Sequence, residues 1–596
     1  MFLVVLPTTK LRHAVTSPAN LALANDGGSC ISFNGGKSWS TQNNQPTAQF
    51  YRVITDDQFP YRIYGGQQDN STVSIASKTI YGGITESDWF AVAGGESAFL
   101  AFDPDDPQII FGGCYQGIID RWYRETHLSK EIKEYPELSL GNAPEDFKYR
   151  YNWNAPIISS PHDRSTIYHA GNVVFRTTDM GTTWEVISPD LTRNDESKQG
   201  PGGKPFTNEA AGGENYNTLM ALVESPHEKG VLWAGSDDGL VHLTRDGGNN
   251  WENVTPSNLP EGIINSIEVS PHDPATAYIA VMRYKSMDFK PYVFKTTNYG
   301  KSWNKIVSGF DDEHTFVRVV REDPERKGLL YAGTETGLYV SFNDGQNWQR
   351  FQLNLPVVPI NDLIVQSNDL VAATAGRSFW ILDDLSALQQ YDTGKEAFRL
   401  YKPQDTYLLF GGSTEKPVPG LGSNPKSGVV IDYFLPSNAD SVELKLEVLQ
   451  DGKVIRTVPH SKPKDFKSWQ GGPPKPVVLP SSEGHQRFTW DFRRDQLPAV
   501  DNVFVFGDYR GSRVGPGAYT LRLSLEDETA EQAINILANP NMGDKTGEYA
   551  EQQKMLVDLA GMVEEIHNSV HQMRSARKQL SGYKALLTDN ENADDL

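Results

Sequence analysis

The chain has 596 residues, with 52 Gly, 36 Pro and 11% aromatic residues, a composition typical of short strands joined by turns. Its formal charge of −21 disfavours nucleic acid as a partner, because binding to phosphates depends on basic side chains. The only cysteines, Cys30 and Cys114, exclude a disulfide framework but leave room for one bridge.

The first residues carry no convincing targeting signal. Met1 to Pro7 is apolar but short, and no basic residue precedes it. No apolar run approaches the ~18 to 20 residues that span a bilayer, so we expect neither a signal peptide nor a membrane span in this chain. The repeats described next begin so early that we also expect the chain to start inside a repeat series, as an N-terminal truncation.

One eight-residue motif, which we call the box, occurs five times as Ser/Thr-x-Asp/Asn-x-Gly-x-x-Trp. The boxes start at Ser32, Thr177, Thr244, Thr296 and Ser341. Their third position should accept backbone hydrogen bonds in a hairpin turn, and the glycine should supply a positive φ. The tryptophan should pack between neighbouring sheets. The residues predicted to have these structural roles are Asn34, Trp39, Asp179, Trp184, Asp246, Trp251, Asn298, Trp303, Asn343 and Trp348.

The boxes belong to longer units that resemble propeller blades. A Pro-containing turn and short strands precede each box, giving a supersecondary unit of roughly 40 to 60 residues. Three units without a box are predicted at 61–90, 99–122 and 361–384. We therefore predict an all-β fold in which 1–400 form a β-propeller of about seven to eight blades, and closing it could need further strands from before residue 1. The histidines of the recurring Ser-Pro-His turns, at 162, 227 and 272, are expected to cap turns rather than bind metal.

The composition changes after the propeller. Residues 402–428 are rich in Gly, Pro and Ser, and the strands beyond alternate apolar and polar residues, as in an immunoglobulin or fibronectin-like β-sandwich over 401–540. Asp451-Gly452 predicts a two-residue hairpin. In 541–596 we predict an amphipathic helix over 547–586 and a disordered tail. Its heptad stripe contains Leu556, Leu559, Val563, Ile566, Val570, Met573 and Leu580. The partner of this stripe could be a second chain, the sandwich or another helix.

Several phrases resemble a known family. They are NDGG at 25–28, YGGQQDN at 64–70, NWNAPI at 152–157, ISPDLT at 187–192, LLYAGTETGLYVSFNDG at 329–345 and GRSFWILDD at 376–384. With the boxes, they make the chain similar to bacterial BNR (Asp-box) repeat proteins with a sortilin-like propeller, often labelled glycosyl hydrolases. The resemblance implies boxes at the periphery, ligands near the axis, and an extracellular or periplasmic location. Sortilin's cysteine-rich module has no counterpart here, so cargo sorting is not implied.

Candidate site residues are those expected on loops near the axis, where glycines allow close backbone approach. We name Asp69, Glu96 and Glu214 as possible catalytic carboxylates, and Glu209 and Asp383 as further acidic candidates. The predicted ligand-binding residues are Gln67, Asn70, Trp153, Asn154, Asn215 and Arg377. Carboxylates, an arginine and a tryptophan would suit a sugar. The alternative for each residue is a polar network around a water-filled channel.

Two functions remain open at this point. The first is a secreted or periplasmic propeller that binds a polysaccharide or polypeptide on its central face. The second is a xyloglucanase-like glycoside hydrolase, which needs two carboxyl groups about 5 to 9.5 Å apart. A sialidase is disfavoured because three suitably spaced arginines cannot be assembled on inner strands. We predict no cofactor and no metal, and self-association through the 547–586 helix is a further possibility.

Overall fold

A computed structural model describes residues 10–14, 17–25, 28–42, 45–137, 142–200, 215–310, 314–392, 394, 397–409, 421–463 and 466–587. The chain divides into two compact units. The first contains Met1–Leu382 and Gly412–Asn424, and the second contains Asp383–Gly411 and Pro425–Leu596. Among the described helices, none combines the length and the apolar character needed to cross a membrane.

The first unit consists of antiparallel sheets built from consecutive strands. A three-stranded sheet contains β1 (Lys10–Ala14), β2 (Ser17–Asn25) and β3 (Gly28–Ser32). Blade 1 contains β4 (Ile54–Thr55), β5 (Arg62–Gly66), β6 (Thr72–Ala76) and β7 (Trp89–Phe90). Blade 2 contains β8 (Leu100–Phe102), β9 (Ile109–Gly113), β10 (Ile119–Tyr123) and β11 (Leu128–Glu131). Blade 3 contains β12 (Ile157–Ser159), β13 (Ile167–Ala170), β14 (Val174–Thr177) and β15 (Glu185–Val186).

The next four sheets repeat this order. Blade 4 contains β16 (Leu219–Glu224), β17 (Leu232–Ser236), β18 (Val241–Thr244) and β19 (Glu252–Asn253). Blade 5 contains β20 (Ile263–Val269), β21 (Ala277–Met282), β22 (Val293–Thr296) and β23 (Asn304–Lys305). Blade 6 contains β24 (Val317–Glu322), β25 (Leu330–Thr334), β26 (Gly337–Ser341) and β27 (Gln349–Arg350). Blade 7 contains β28 (Ile360–Gln366), β29 (Asp369–Thr374) and β30 (Phe379–Leu382).

The seven blades form a closed ring. Each blade contacts the next, and buried apolar side chains fill the space between them. Blade 7 meets blade 1 through Phe50 and Phe379, whose rings stack 3.7 Å apart, and through the Val53 N–H, which donates to Asp362 Oδ2 at 3.2 Å. The three units predicted without a box are blades 1, 2 and 7. The predicted all-β propeller is confirmed.

The unit with the first box lies outside the ring. In the described residues, its strands β1 to β3 pair only with each other. The five boxed and three unboxed units of the sequence therefore form seven blades and this separate sheet. Its Trp39 is 39% exposed, whereas Trp348 of the last box is 1% exposed. The same motif therefore closes a hairpin in both places but contributes to the packing between blades only within the ring.

The boxes form the turns predicted for them. In the box at Thr177, the Gly181 N–H donates to Thr177 Oγ1 at 2.9 Å, and the Thr183 N–H donates to Asp179 Oδ1 at 2.9 Å. Equivalent bonds occur in the other four boxes. Asparagine can replace aspartate because only an acceptor oxygen is needed.

The box tryptophans of blades 3 to 6 join each blade to the one before it. Their indole N–H groups donate to a backbone carbonyl that follows the preceding blade's outer strand. The donors and acceptors are Trp184 to Ile132, Trp251 to Ile187, Trp303 to Val254 and Trp348 to Ile306, at 2.7–2.9 Å. The Ser-Pro-His turns join blades in a similar way, since His162 Nε2 lies 2.8 Å from the Ser225 carbonyl. His227 and His272 make the same contact with the Ser270 and Asp323 carbonyls, so these side chains bridge neighbouring blades instead of capping their own turns.

The described residues of the second unit form two facing sheets and two α-helices. One sheet contains β31 (Arg399–Leu400), β33 (Val429–Leu435) and β36 (Gly484–Trp490). The other contains β32 (Thr406–Tyr407), β38 (Glu528–Leu537), β37 (Gly517–Leu525), β34 (Leu444–Gln450) and β35 (Lys453–Pro459). Buried side chains from both sheets form one core, so the predicted β-sandwich is confirmed. The helices are α1 (Ser386–Gln390) and α2 (Thr546–Leu587).

The hairpin between β34 and β35 illustrates how local sequence fixes the sandwich. Asp451 and Gly452 both have positive φ, at 51° and 72°, and Gln450 pairs with Lys453. This is the two-residue turn that Asp-Gly predicts, because its twist matches that of the flanking strands.

Candidate functional site

Loops of the propeller lie close to its central axis on two opposite faces. The first strand of each blade is innermost, and we call the face where these strands begin the top face. A top cavity of about 400 Å³ opens there, and a bottom cavity of about 550 Å³ lies at the other end of the inner strands. Both are large enough for a small ligand or a segment of a polymer. The top cavity is lined by Tyr51, Arg52, Asn152, Trp153, Asn154, Tyr216, Asp237, Asn265, Tyr284, Lys285, Arg318, Glu335 and Asn361, among others.

Arg52 separates the two cavities and lines both. It precedes the inner strand of blade 1 and donates to the Asn265 carbonyl at 3.1 Å and to Asn265 Oδ1 at 3.3 Å on blade 5, across the axis. Burial lowers its pKa, whereas the nearby Asp362 carboxylate opposes that shift. Arg52 therefore blocks the channel with a hydrogen-bonded cross-link, and the top cavity is a pocket with a polar floor.

On the top face, two predicted catalytic carboxylates lie next to each other. The Gln68 amide donates to Asp69 Oδ1 and to Glu96 Oε2, at 2.8 Å in both cases, and the Asp69 N–H donates to Glu96 Oε2 at 2.9 Å. Burial raises the pKa of Glu96, and the Asp69 charge adds to this effect. Asp69 Oδ1 and Glu96 Oε2 each lie 2.8 Å from the same Gln68 nitrogen, so the distance between them is at most twice 2.8 Å. The Gln68 nitrogen contacts both oxygens.

A row of aromatic side chains continues from this pair into the top cavity. The Tyr51 hydroxyl donates to Gln68 Oε1 and accepts the Trp153 indole N–H at 3.1 Å. The Trp153 ring stacks on Tyr115 at 5.3 Å with an interplanar angle of 10°. Blades 1, 2 and 3 thus share one network in which an indole is held in a fixed orientation at the cavity wall.

The other predicted binding residues have different positions. Asn154 and Asn215 are buried, and their amides donate to the Ser97 and Tyr151 carbonyls, both at 3.0 Å. Gln67 pairs through its backbone with Phe50, and Asn70 is exposed in the turn that follows.

Arg377 is exposed on the top face, and its guanidinium donates to the neighbouring Gly376 carbonyl at 2.8 Å. Asp383 belongs to the second unit, where its carbonyl accepts from Arg487. Glu209 and Glu214 lie outside the described residues.

Residues that sequence reasoning missed line much of the cavity. Arg318 binds Glu335 through two bonds to Oε2, at 2.9 and 2.6 Å, and the Asn265 amide donates to the Arg318 carbonyl at 2.6 Å. Asp237 and Glu335 directly follow the second strands of blades 4 and 6. Gln67 occupies the equivalent position after the second strand of blade 1. The signal was the recurring strand-then-polar-turn pattern GSDDG, GTETG and GGQQD.

Asp237 is the buried carboxylate of the cavity. It accepts from the Thr218 N–H at 3.0 Å, the Thr218 hydroxyl at 2.8 Å and the Asn152 amide at 3.3 Å. Burial, followed by the negative charge of Asp238, raises the pKa of Asp237 to about 7. Part of this site is therefore protonated in weakly acidic solution.

This shift predicts a pH dependence of stability. The folded-state pKa of Asp237 exceeds the usual 3.8. The stability that protonated Asp237 contributes to the fold is therefore present at low pH and is lost as the pH rises toward about 7. Over this pH range the free energy of unfolding of the wild type should fall by about 2–4 kcal/mol because of Asp237, and Asp237→Asn should abolish that fall. The variant should therefore be more stable than the wild type at pH 8 but not at pH 4, as measured by urea unfolding at each pH.

Asp246→Asn is the matched control for that experiment. Asp246 is an exposed box residue whose pKa is lowered, chiefly by hydrogen bonds from Asn250, so it titrates below the interval. Its pH profile should parallel that of the wild type. Equal profiles for Asp237→Asn and the wild type would mean that Asp237 stays ionised throughout.

The bottom cavity contains a separate charge network. Arg321 donates to Asp362 at 2.8 Å and to the Leu363 carbonyl at 2.8 Å, and lies 3.4 Å from Glu268. Burial raises the pKa of Glu268 to about 7, against the attraction of Arg321. These groups satisfy one another, so the network joins the inner strands of blades 5, 6 and 7.

In the described part of the chain, no group of three or more His, Cys, Asp or Glu side chains is placed to hold a metal ion. Cys30 and Cys114 are free thiols. Burial raises the pKa of Cys114 to about 11, so its thiol is un-ionised at neutral pH.

No protein-family model and no curated protein matches the chain. Solved structures match in shape. A YCF48 protein bound to a D1 peptide is 12% identical, with 61% of this chain and 88% of that chain covered and a TM-score of 0.33. The GH74 enzyme of Niastella koreensis is 12% identical, with 81% and 72% covered and a TM-score of 0.40. PorZ, a type-IX secretion component of Porphyromonas gingivalis, is 12% identical, with 88% and 65% covered and a TM-score of 0.38.

Proposed function

We propose that the protein binds a polysaccharide chain in the top cavity and works outside the cytoplasm. The observation that supports this is the fixed indole of Trp153 beside amide and carboxylate groups. The flat C–H face of a sugar ring packs on an indole, while amides and carboxylates bind its hydroxyl groups. The location rests on the family resemblance.

A polypeptide is the second candidate. Arg318 with Glu335, and Lys285 with Asp237, provide both signs of charge at the cavity wall. Such groups would suit the charged side chains and the backbone of an extended peptide. A sugar without ionised groups would use them only as hydrogen-bonding partners.

Hydrolysis ranks below binding. A retaining glycosidase places the sugar between carboxyl groups about 5–5.5 Å apart. The Asp69 and Glu96 oxygens are close enough, but the Gln68 amide contacts both and occupies the space that the sugar would need. We therefore expect Glu96→Gln and the wild type to release the same amount of reducing ends when each is incubated with a polysaccharide.

Trp153 provides the direct test of the binding site. The full chain is screened on a glycan array and a peptide array, and the strongest hit is titrated by calorimetry. Trp153→Ala should weaken binding at least about tenfold, because aromatic side chains in cavities carry much of the binding energy. Trp153→Phe should retain part of it, since a ring remains.

Arg377→Ala is the control. It removes a large exposed side chain from the same face without touching the cavity wall, so its affinity should equal that of the wild type. A hit on glycans alone supports the first candidate, and a hit on peptides alone supports the second. Full affinity in Trp153→Ala, with the wild-type melting temperature, would place the ligand elsewhere.

A further inference from the structure

Helix α2 presents two different faces. One face lies on the sandwich and contains half-buried residues at alternating steps of four and three: Tyr549, Gln553, Leu556, Ala560, Val563, His567 and Val570. Backbone carbonyls of the sandwich unit hold this face in place. The Gln553 amide donates to the Arg513 carbonyl at 3.0 Å, and Arg574 donates to the Asp501 carbonyl at 2.7 Å.

The other face is an exposed row with the same spacing. Its members are Met555, Leu559, Met562, Ile566, Ser569, Met573, Ala576, Leu580 and Tyr583. Leu559, Ile566, Met573 and Leu580 are 48%, 62%, 63% and 68% exposed. A strict alternation of four and three is the core pattern of a coiled coil, and it runs here for about 42 Å of helix. A surface of this length and regularity fits another helix.

The charges along α2 divide at its middle. Residues 548–565 contain Glu548, Glu551, Asp558, Glu564 and Glu565 against one lysine, whereas 566–587 contain Arg574, Arg577, Lys578 and Lys584 and no acidic residue. Two parallel copies would place like charges together. Two antiparallel copies would place each acidic half against the partner's basic half.

The sizes of the side chains select the same arrangement. When two copies are antiparallel and cross at His571, Ile566 lies opposite Ala576 and Met573 lies opposite Ser569, so large side chains meet small ones at the centre of the row. Farther out, Met562 lies opposite Leu580, and both are apolar. In that register Glu565 is level with Arg577. The row is therefore complementary to itself under a twofold axis, which a homodimer requires.

We propose that the exposed row of α2 is the interface of an antiparallel homodimer, with Leu559 of one copy opposite Tyr583 of the other. The partner is a second copy of this chain. This inference is independent of any ligand at the propeller.

The first experiment measures the mass of the full chain by sedimentation equilibrium over a range of concentrations. The wild type should reach twice the monomer mass of 66.3 kDa. Ile566→Glu with Met573→Glu should halve that mass at the same concentration, with unchanged circular dichroism because both side chains are exposed. Asn568→Glu with Ser575→Glu adds the same charges away from the row and should remain dimeric.

The second experiment tests orientation in a background in which Cys30 and Cys114 are serine. Under mild oxidation, Leu559→Cys mixed with Tyr583→Cys should form a disulfide-linked dimer, whereas Leu559→Cys alone should not. Efficient self-linking of Leu559→Cys would overturn the antiparallel arrangement. A wild type that stays monomeric, or an Ile566→Glu, Met573→Glu variant that stays dimeric, would overturn the interface.

Discussion

Replacing Trp348 with alanine is expected to lower the free energy of unfolding of the propeller by about 3–5 kcal/mol. The indole is 1% exposed, stacks on Phe310 at 5.2 Å, and donates to the Ile306 carbonyl at 2.9 Å. Truncation would leave a cavity between blades 5 and 6 and an unpaired carbonyl. Urea unfolding, with hydrogen exchange to localise the change to those blades, measures the effect.

The same substitution at Trp39 is the control. Trp39 occupies the equivalent position of the first box but is 39% exposed, so we expect Trp39→Ala to cost less than about 1 kcal/mol. Similar losses at both positions would show that the tryptophan stabilises its own hairpin rather than the contact between blades. Trp348→Phe should fall between, because it keeps a ring and loses the hydrogen bond.

Replacing Arg321 with methionine should cost about 3–5 kcal/mol near pH 8, because it leaves Asp362 and Glu268 without their shared cation. The attraction of Arg321 limits the rise in the pKa of Glu268, so its removal should raise that pKa above about 7. A carboxylate with a raised folded-state pKa loses stability as the pH increases through it. The cost should therefore be smaller at pH 5 than at pH 8, as measured by urea unfolding.

Arg164→Met provides the comparison. Arg164 also lines the bottom cavity, but its side chain is 43% exposed, and those of its partners Asp103 and Asp105 are 32% and 68% exposed. Such pairs contribute about 0–1 kcal/mol, with little change between pH 5 and pH 8. If Arg321→Met were equally mild, the axial network would not stabilise the ring. Adding Glu268→Gln to Arg321→Met should recover part of the loss.

The boxes could be predicted from sequence because their chemistry is local. The hydrogen bonds that close the Thr177 turn join residues four positions apart, and the Asp451-Gly452 turn is equally local. The packing of a box cannot be predicted in this way. Trp39 and Trp348 share one motif, yet within the described part of the chain only Trp348 contacts a preceding blade.

The site was harder to predict because its contacts are not local. The loops after β5 and before β8 and β12 could be expected at the axis from the order of strands, and they contain Asp69, Glu96 and Trp153. A shift of one residue along a loop changes which side chain points toward the axis. Gln68, rather than Gln67, bridges the carboxylates. Arg52 reaches Asn265 across 213 positions, a contact that no local pattern indicates.

The heptad stripe of α2 shows a different limit. The predicted stripe merged two rows, because Leu556, Val563 and Val570 are half-buried whereas Leu559, Ile566, Met573 and Leu580 are exposed. Each row alone repeats every seven residues, and the rows lie three positions apart. Spacing therefore predicted the helix but could not tell which row faces the sandwich.

The contacts that close the ring also imply an order of folding. Hairpins within a blade join neighbouring segments, whereas Val53 and Asp362 are 309 positions apart, as are Gln366 and Asp57. Contacts at such separation require the entropy of a long loop to be lost first. Blades 2 to 6 can assemble one upon another from nearby sequence, and the joint between the first and last blades forms at the end. A destabilised joint should accordingly speed opening of the ring while hardly slowing its assembly.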